Sequence, residues 1–337
     1  MITHVRFQNF KALKNAELKL GAFNVIIGPN GSGKSTVLQG LEAMANPNPV
    51  KWPQMVTAGM PLSSVSITFS LNFQDRTKKL RLEINPQGQP SRFNLAEGEE
   101  QSVIAYQDQQ DTLSYVGRIR TFSFQTSLMP IPVDPRHYGL LNPDGSNLAE
   151  AITFLRDKDE DAYNLLRAEM QRWIPEYDSI GFETDQNNYR RLALRQKNSR
   201  QIIPASQLSE GTLLALALLT VVYQSDSPVL IGLEEPDRGL HPRLLRELRD
   251  ALYRLSFPSD FGIKRAPVQV VVTTHSPFFL DLFRDHPEQV IIAEKNADGT
   301  ATFKNLSDDA QLREIIGDAP LGEVWYSGIL GGVPVAA

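Results

Sequence analysis

The sequence has no cysteine, no long apolar run and no excess of positive charge. Because none of the 337 residues is cysteine, the chain forms no disulfide bond and no cysteine-ligated zinc site. The longest apolar run, at residues 213–223, is shorter than the roughly 20 residues that a helix needs to cross a bilayer. A formal net charge of −5 argues against a broadly cationic surface for nucleic acids. We therefore expect a soluble, cytoplasmic protein that does not enter the membrane.

One glycine-rich stretch dominates what is present. GPNGSGKST occupies residues 28–36; the apolar run FNVII precedes it, and apolar residues at helical spacing follow it. Strand, glycine-rich turn and helix are the context that separates a phosphate-binding loop from a chance match. Glycines let successive backbone N–H groups turn toward a phosphate, and the helix N-terminus adds its positive dipole end. The stretch therefore predicts a nucleotide site rather than a plain glycine turn.

Two side chains of this loop have specific expected roles. Lys34 reaches the β- and γ-phosphates as a point charge, and the Ser35 hydroxyl takes a coordination position on Mg²⁺. We also expect the Lys34 side chain to be exposed in the loop and not part of the core. The predicted nucleotide-binding residues are Gly28, Pro29, Asn30, Gly31, Ser32, Gly33, Lys34, Ser35 and Thr36.

Alternating apolar residues predict strands on both sides of the loop. We expect strands at 2–7 and 16–27, separated by the polar turn FQNFKALKN. Strict alternation over 65–73 and again near 80–84 predicts two more strands. Together with SVIAY at 102–106 and the segment 115–124, they predict an antiparallel sheet beside the nucleotide site.

The middle of the chain predicts two helices and then two strands. The first helix begins near Asn147, with Glu150 three residues later as its capping partner. The second carries an apolar stripe and ends before Pro175, because proline cannot continue a helix. Strands at 177–183 and 189–195 follow, and the second strand is rich in arginine.

Polar motifs return after residue 208. LSEGT at 208–212 precedes a buried helix, the apolar run VLIGL ends in the carboxylates Glu234 and Glu235, and QVVVTT ends at His275. Apolar runs of this kind that alternate with helices are typical of a largely parallel sheet covered on both faces. Two carboxylates that close such a strand indicate a site rather than a solvated surface pair.

In this order, the phosphate loop and the LSEGT, LEEPDRGLHP and TTHSP strings resemble ATP-binding-cassette ATPases, and specifically the RecF-, SMC- and OLD-type heads. The resemblance covers most of the chain. It implies an α/β fold, the ABC-type P-loop NTPase head, with a mostly parallel core sheet flanked by helices and an antiparallel β lobe. We expect one ATPase domain over 1–337, with lobe I at about 1–130, a helical insert at about 146–175 and lobe II at about 176–337.

The resemblance also implies roles within one subunit. Glu234 would hold the water shell of Mg²⁺, and Glu235 would be the general base for the attacking water. His275 would contact the γ-phosphate. A glutamine that senses Mg²⁺ should end a strand of the antiparallel lobe, where Gln125, at the end of RTFSFQ, is the preferred residue and Gln74 the alternative.

Three further residues would act between two subunits. Ser209 and Gly211 would contact the γ-phosphate of ATP held by the other copy, although Ser209 also suits a plain helix cap. Asp237 would belong to the loop that crosses the dimer interface. The basic segment 190–200 favours a solvated hairpin face or support for the nucleotide site, and a contact with the DNA backbone is the alternative.

The resemblance implies an ATPase that dimerises around ATP and Mg²⁺. No sustained heptad pattern predicts a long coiled coil, and the segment after His275 is short for an appended nuclease domain. We therefore expect a bare head, a homodimer that gates a separate effector or nuclease, with DNA as a possible ligand, in DNA repair or phage defence. The alternatives are a transporter nucleotide-binding subunit, which LSEGT does not favour, and a P-loop GTPase or kinase.

Overall fold

The computed structural model divides into two compact units. The first comprises Met1–Thr121, Pro228–Glu234 and Pro267–Ala337, and the second Phe122–Ser227 and Glu235–Ala266. The residues that the structure describes are 1–73, 76–95, 106–134, 136, 139–186, 188–224, 228–308 and 319–330.

Fourteen strands and eight helices lie within the described residues. The strands are β1 Ile2–Phe10, β2 Leu13–Lys19, β3 Phe23–Ile27, β4 Ser66–Phe73, β5 Arg76–Ile84, β6 Pro90–Leu95, β7 Ile119–Phe122, β8 Tyr177–Thr184, β9 Arg190–Gln196, β10 Ile202–Pro204, β11 Leu230–Glu234, β12 Gln269–Thr274, β13 Val290–Lys295 and β14 Ala301–Asn305. The helices are α1 Lys34–Ala45, α2 Tyr106–Val116, α3 Leu148–Lys158, α4 Glu160–Trp173, α5 Glu210–Tyr223, α6 Pro242–Ser256, α7 Pro277–Leu280 and α8 Leu321–Tyr326.

A six-stranded sheet forms the centre of the first unit. Its strand order is β14-β13-β3-β12-β11-β7. The pairs β13–β3, β3–β12 and β12–β11 are parallel, and β14 joins as an antiparallel strand. All residues of β3 and β12 are buried, which explains why their sequences are near-continuous apolar runs rather than alternating ones. The predicted largely parallel core sheet is confirmed.

An antiparallel sheet completes the first unit, in the order β2-β1-β4-β5-β6. Phe7 lies opposite Ile67, and Val5 opposite Phe69, with all four side chains buried. Alternation along these strands buries one face, as the sequence predicts. The antiparallel lobe is therefore present.

Three strand predictions near these sheets are wrong. The predicted turn at 7–15 is a hairpin, because β1 continues to Phe10 and pairs there with Leu13. The predicted strand 16–27 is two strands, separated at residues 20–22, where Gly21 interrupts the run. Residues 106–116 form α2, and β7 belongs to the six-stranded sheet beside β11 rather than to the antiparallel sheet. Residues 102–105 lie outside the described residues.

The second unit combines helices α3 to α6 with a small sheet of order β10-β9-β8. The helix that ends before Pro175 and the two strands after it are confirmed. Asn147 precedes α3 as predicted, but the capping box is not formed. The Oδ1 atom of Asn147 instead accepts the backbone N–H of Asn142 at 2.7 Å. The Asn147 side chain therefore forms its hydrogen bond with the loop before α3 and not with the first turn of the helix.

A partly buried ion cluster joins α4 to α6. Glu169 lies 2.7 Å from Arg172 and 3.3 Å from Arg254, and it also accepts the indole N–H of Trp173. Arg172 in turn lies 2.8 Å from Glu247 of α6. Because Glu169 and Arg254 are each less than one-fifth exposed, their interaction is screened less by water than a surface ion pair.

Candidate nucleotide site

The phosphate loop lies between β3 and α1, as the sequence predicts. Gly31 and Gly33 have φ angles of 77° and 87°, in the left-handed region that glycine adopts without a steric penalty. Helix α1 begins at Lys34, and Gly33 caps it without a side chain. The first backbone N–H groups of a helix have no acceptor within the helix, so this end of α1 attracts an anion.

The Lys34 side chain is buried, so the expectation that it is exposed is wrong. It is 5% exposed, and its Nζ donates to the backbone carbonyls of Gly28 at 2.8 Å and Pro29 at 2.9 Å. The ammonium turns back over the loop, where these carbonyls supply hydrogen-bond acceptors that a buried charge needs. Its positive charge is thereby held at the loop itself.

The loop residues fit the phosphates of a nucleotide. The Ser32 hydroxyl is fully buried and has no hydrogen-bond partner among the described residues. Such an orphaned group is costly unless a ligand supplies the partner. Together with the Lys34 ammonium and the start of α1, this polar lining matches a phosphate group rather than a closed structural turn.

A second lysine lies beside the loop, and the motif did not reveal it. A Cβ atom placed on Gly31 would lie 3.8 Å from the Nζ atom of Lys295. Lys295 ends β13, which runs parallel to β3 with Ile292 opposite Ile27. The signal in the sequence is a lysine two residues after the apolar run VIIA, and only the strand order shows that it lies beside the loop.

Three parallel strands bring the predicted polar residues to one edge of the sheet. In the register of these strands, Glu234 lies opposite Thr273, and Thr274 lies opposite Ile27. The phosphate loop follows Ile27, and His275 follows Thr274. The carboxyl ends of β3, β12 and β11 thus place the loop, His275 and Glu234 at the same edge, where α/β sheets bind their ligands.

Glu235, the next residue along the chain, has a strained backbone. Its φ angle is 44°, which is uncommon for a residue other than glycine. Arg238 donates its backbone N–H to the Glu235 carbonyl at 3.0 Å, and the Arg238 Nη1 atom lies 3.9 Å from the Glu235 carboxylate. Strain of this kind concentrates at functional sites, where the surrounding structure holds a side chain in a specific direction.

The residues present also fit a magnesium ion that arrives with a nucleotide. The described residues contain no group of three or more histidine, aspartate or glutamate side chains that would hold a metal ion by themselves. Mg²⁺ usually takes only one or two protein oxygens and completes its shell with phosphates and water. Ser35, in the first turn of α1, and Glu234, at the end of β11, provide oxygens of this type.

Ser209 caps helix α5 in the second unit. Its Oγ accepts the Thr212 backbone N–H at 3.1 Å and lies 2.8 Å from the Thr212 hydroxyl oxygen. A Cβ atom on Gly211 would lie 2.7 Å from the carbonyl oxygen of Gly239, so only glycine fits there. The cap interpretation of Ser209 is confirmed. A contact of Ser209, Gly211 or Asp237 with another subunit stays a prediction.

Gln125 lies outside any strand. It is exposed, and it follows the end of β7 by three residues. Its backbone N–H donates to the carbonyl of Asp144 at 2.9 Å. The expectation that Gln125 ends a strand of the antiparallel lobe is therefore wrong, whereas its contact with Mg²⁺ stays a prediction. The alternative residue, Gln74, lies outside the described residues.

Two of the five cationic residues of the basic segment form ion pairs within their own hairpin. Arg195 lies 2.7 Å from Asp178, and Arg191 lies 3.7 Å from Asp185. The hydrogen bond from Arg195 lowers the pKa of Asp178, so this carboxylate stays charged and paired. These pairs favour a structural role for the segment over a DNA contact.

A family model described as "AAA domain, putative AbiEii toxin, Type IV TA system" matches residues 23–281. This range covers well over half of the chain. The chain belongs to this AAA-domain family. The matched range begins at β3 and includes the phosphate loop, the Glu234–Glu235 pair and His275, so the family match covers the whole edge of the sheet described above.

Two kinds of relatives resemble this AAA-domain chain. The OLD nuclease of Thermus scotoductus is 19% identical over 369 residues, which span 93% of this chain and 67% of that protein. The SMC head domain from Thermotoga maritima has a TM-score of 0.53 at 14% identity, and the match covers 90% of this chain and 98% of the other.

A second SMC head is similar over nearly the full chain. The head domain with coiled coil and joint from Pyrococcus yayanosii has a TM-score of 0.56 at 10% identity, covering 97% of this chain and 99% of the other. The chain therefore belongs to the AAA-domain family and shares the P-loop fold of SMC heads. No helix in the described ranges is long and apolar enough to cross a membrane.

Proposed function

We propose that the chain binds ATP with Mg²⁺ and hydrolyses it in a site shared by two copies of the chain. The observation that carries the proposal is the common edge of β3, β12 and β11, where the phosphate loop, His275 and Glu234 meet. The family of AAA domains to which the chain belongs supports nucleotide binding.

Each residue at this edge has a chemical task. The Lys34 ammonium and the backbone N–H groups of the loop hold the phosphates, and Lys295 adds a second positive charge beside Gly31. Ser35 and Glu234 would hold Mg²⁺. When bound, Mg²⁺ offsets the negative charge of the phosphates and orients them for attack. His275 donates a hydrogen bond to the terminal phosphate.

Glu235 takes a proton from the attacking water. It directly follows Glu234 in the chain, and its backbone is held in the left-handed region, with a φ angle of 44°. Gln125 assists by holding the water shell of the metal. A general base acts only where its oxygen reaches the water, so the left-handed conformation at residue 235 is expected to be required for activity.

The second copy completes the site. Ser209 and Gly211 approach the γ-phosphate held by the partner copy, and Asp237 lies in the loop that crosses between the copies. ATP thereby holds the homodimer together, and hydrolysis releases it. We propose that this cycle gates a separate effector or nuclease, or a DNA-linked partner, in phage defence or DNA repair. The family description, a putative toxin, and the name of the relative, OLD nuclease, support an effector of this kind.

One experiment tests the proposal. Purified wild-type protein and its Glu235→Gln variant are assayed for hydrolysis of ATP and GTP, and their mass is followed by light scattering with and without ATP. We expect hydrolysis of ATP in preference to GTP, and an ATP-dependent dimer of the Glu235→Gln variant that persists through size exclusion. A chain that hydrolyses neither nucleotide, or a Glu235→Gln variant that stays monomeric with ATP bound, contradicts it.

A further inference from the structure

A cleft of about 600 Å³ opens beside the LSEGT string in the second unit. It is lined by the end of α4, the first turn of α5 and the first turn of α6 with the loop before it. Its polar lining residues include Glu176, Ser209, Glu210, His241 and Arg243. We call it the signature cleft.

Arg243, like Arg246, differs from the other two arginines of α6, which form ion pairs. Arg249 lies 2.7 Å from Asp250, and Arg254 lies 3.3 Å from Glu169. For the Arg243 guanidinium, the described part of the chain supplies neither an ion pair nor a hydrogen-bond acceptor. The backbone N–H of Arg243 is used, because it donates to Nδ1 of His241, which caps the helix. An exposed, unpaired guanidinium therefore lies at the cleft.

The stability of α6 does not explain an arginine at this position. Arg243 is the second residue of the helix, where the positive end of the helix dipole disfavours a cation. The first turn of α6 has no acidic residue to offset it. A residue that contradicts a local rule in this way is expected where function requires it.

The charge of the cleft shows what Arg243 can do. Glu176 and Glu210 are both exposed and both line the cleft, so they repel a phosphate that approaches Ser209. His241 accepts the Arg243 backbone N–H at its Nδ1 atom and so caps α6. Among the described residues that line the cleft, Arg243 is the cation that can offset the negative charges of Glu176 and Glu210.

We infer that Arg243 acts in trans, contacting the terminal phosphate of ATP bound to the phosphate loop of the partner copy, beside Ser209. The inference rests on the proposed two-copy site. The planar guanidinium donates two hydrogen bonds to phosphate oxygens and stabilises the negative charge that they carry in the transition state. A loss of such an arginine costs roughly 10³-fold in turnover in related chemistry.

The first measurement compares single variants. Arg243→Ala should lower turnover at least about 10²-fold and leave the affinity of the isolated subunit for ATP unchanged, because the phosphate loop in cis is intact. Arg243→Lys should recover only part of the rate, since it lacks the paired donors. Arg246→Ala is the matched control: it is an exposed residue of the same helix that does not line the cleft, and its turnover should equal the wild-type rate.

The decisive experiment mixes inactive variants. Lys34→Ala mixed with Arg243→Ala forms heterodimers in which the intact phosphate loop faces the intact arginine. We expect about a quarter of the wild-type rate, because half of randomly formed dimers then carry one complete site. Lys34→Ala mixed with Ser209→Ala tests the two-copy site itself and should recover activity in the same way.

The outcomes separate the inference from the proposed function. If the Ser209 mixture recovers activity and the Arg243 mixture does not, Arg243 does not act in trans and the inference is overturned. If neither mixture recovers activity, the two-copy site is wrong and the inference is overturned with it. Wild-type turnover of Arg243→Ala, or a lowered ATP affinity of its isolated subunit, also overturns the inference.

Discussion

At the scale of single residues, the site separates holding phosphate from activating water. Lys34 and Ser35 are held in place by the start of α1, whereas Glu235 is held by a left-handed backbone conformation. The two carboxylates at the end of β11 are neighbours in the chain but differ in conformation and in expected role. Substitutions at these positions should therefore affect different steps.

The two carboxylates can be distinguished by kinetics. Glu235→Gln keeps the shape and removes the base, so ATP affinity should be preserved while turnover falls at least about 10²-fold. Glu234→Gln should weaken Mg²⁺-dependent binding itself, because its oxygen holds the metal shell. Calorimetry with and without Mg²⁺, together with steady-state rates, measures both effects. If Glu235→Gln turns over normally and Glu234→Gln is inactive, the two roles are reversed.

The burial of Lys34 adds a stability effect to its substitution. Lys34→Ala should abolish measurable ATP binding, and it should also lower the free energy of unfolding by about 1–3 kcal/mol, because the charged hydrogen bonds to Gly28 and Pro29 are lost. Calorimetry and urea unfolding measure the two effects. Wild-type affinity in this variant would remove the basis of the proposed nucleotide site.

Lys295 should matter for affinity and not for stability. Its side chain is exposed at the end of β13, so Lys295→Ala should leave the unfolding midpoint unchanged. ATP affinity should fall by roughly 10-fold, the value of one charged hydrogen bond, and the loss should shrink at high salt. Lys304→Ala, in the exposed face of β14, is a suitable control. Equal ATP affinity of the Lys295→Ala and wild-type proteins at low salt would refute the assignment.

At the scale of elements, the ion cluster of Glu169 holds α4 against α6. These two helices supply two walls of the signature cleft, so the cluster supports the site without contacting it. The same environment buries Tyr223, and this burial raises the pKa of its phenol. A substitution in this cluster therefore tests the stability of the second unit without changing the phosphate loop.

Removing Glu169 should destabilise the second unit. Glu169→Ala leaves Arg254 without its buried partner, and a loss of roughly 2–4 kcal/mol in the free energy of unfolding is expected. The measurement is urea unfolding followed by tryptophan fluorescence, with Glu160→Ala, at the exposed start of α4, as the control. Unchanged stability of Glu169→Ala would show that water already satisfies these charges.

At the scale of the whole molecule, the proposed site is complete only when two copies meet. Turnover per subunit should therefore rise with protein concentration below the dissociation constant of the dimer and then level off. Steady-state rates over a dilution series, with mass photometry on the same samples, measure this dependence. A monomer throughout the series with a constant rate per subunit would contradict the two-copy site.

Local chemistry explains why so much of the site could be predicted from the sequence. A phosphate loop needs glycines, a lysine and a hydroxyl at consecutive positions, so residues 28–36 identify it without any tertiary contact. Parallel strands buried on both faces need near-continuous apolar runs, which identified β3, β11 and β12. The expected roles of Glu234 and His275 followed from the resemblance to ATP-binding-cassette heads. The structure places both residues at the edge of the sheet that carries the loop, where these parallel strands end.

Contacts between distant segments explain what only the tertiary structure decided. The burial of Lys34 depends on how the loop carbonyls turn, and the membership of β7 in the central sheet depends on pairing across more than a hundred residues. Lys295 reaches the loop only because β13 pairs with β3, and Arg243 and Ser209 line one cleft only because α4, α5 and α6 enclose it. Lys295 and Arg243 lie in no local motif, because a side chain at the end of an element gains its contacts from the packing of other elements.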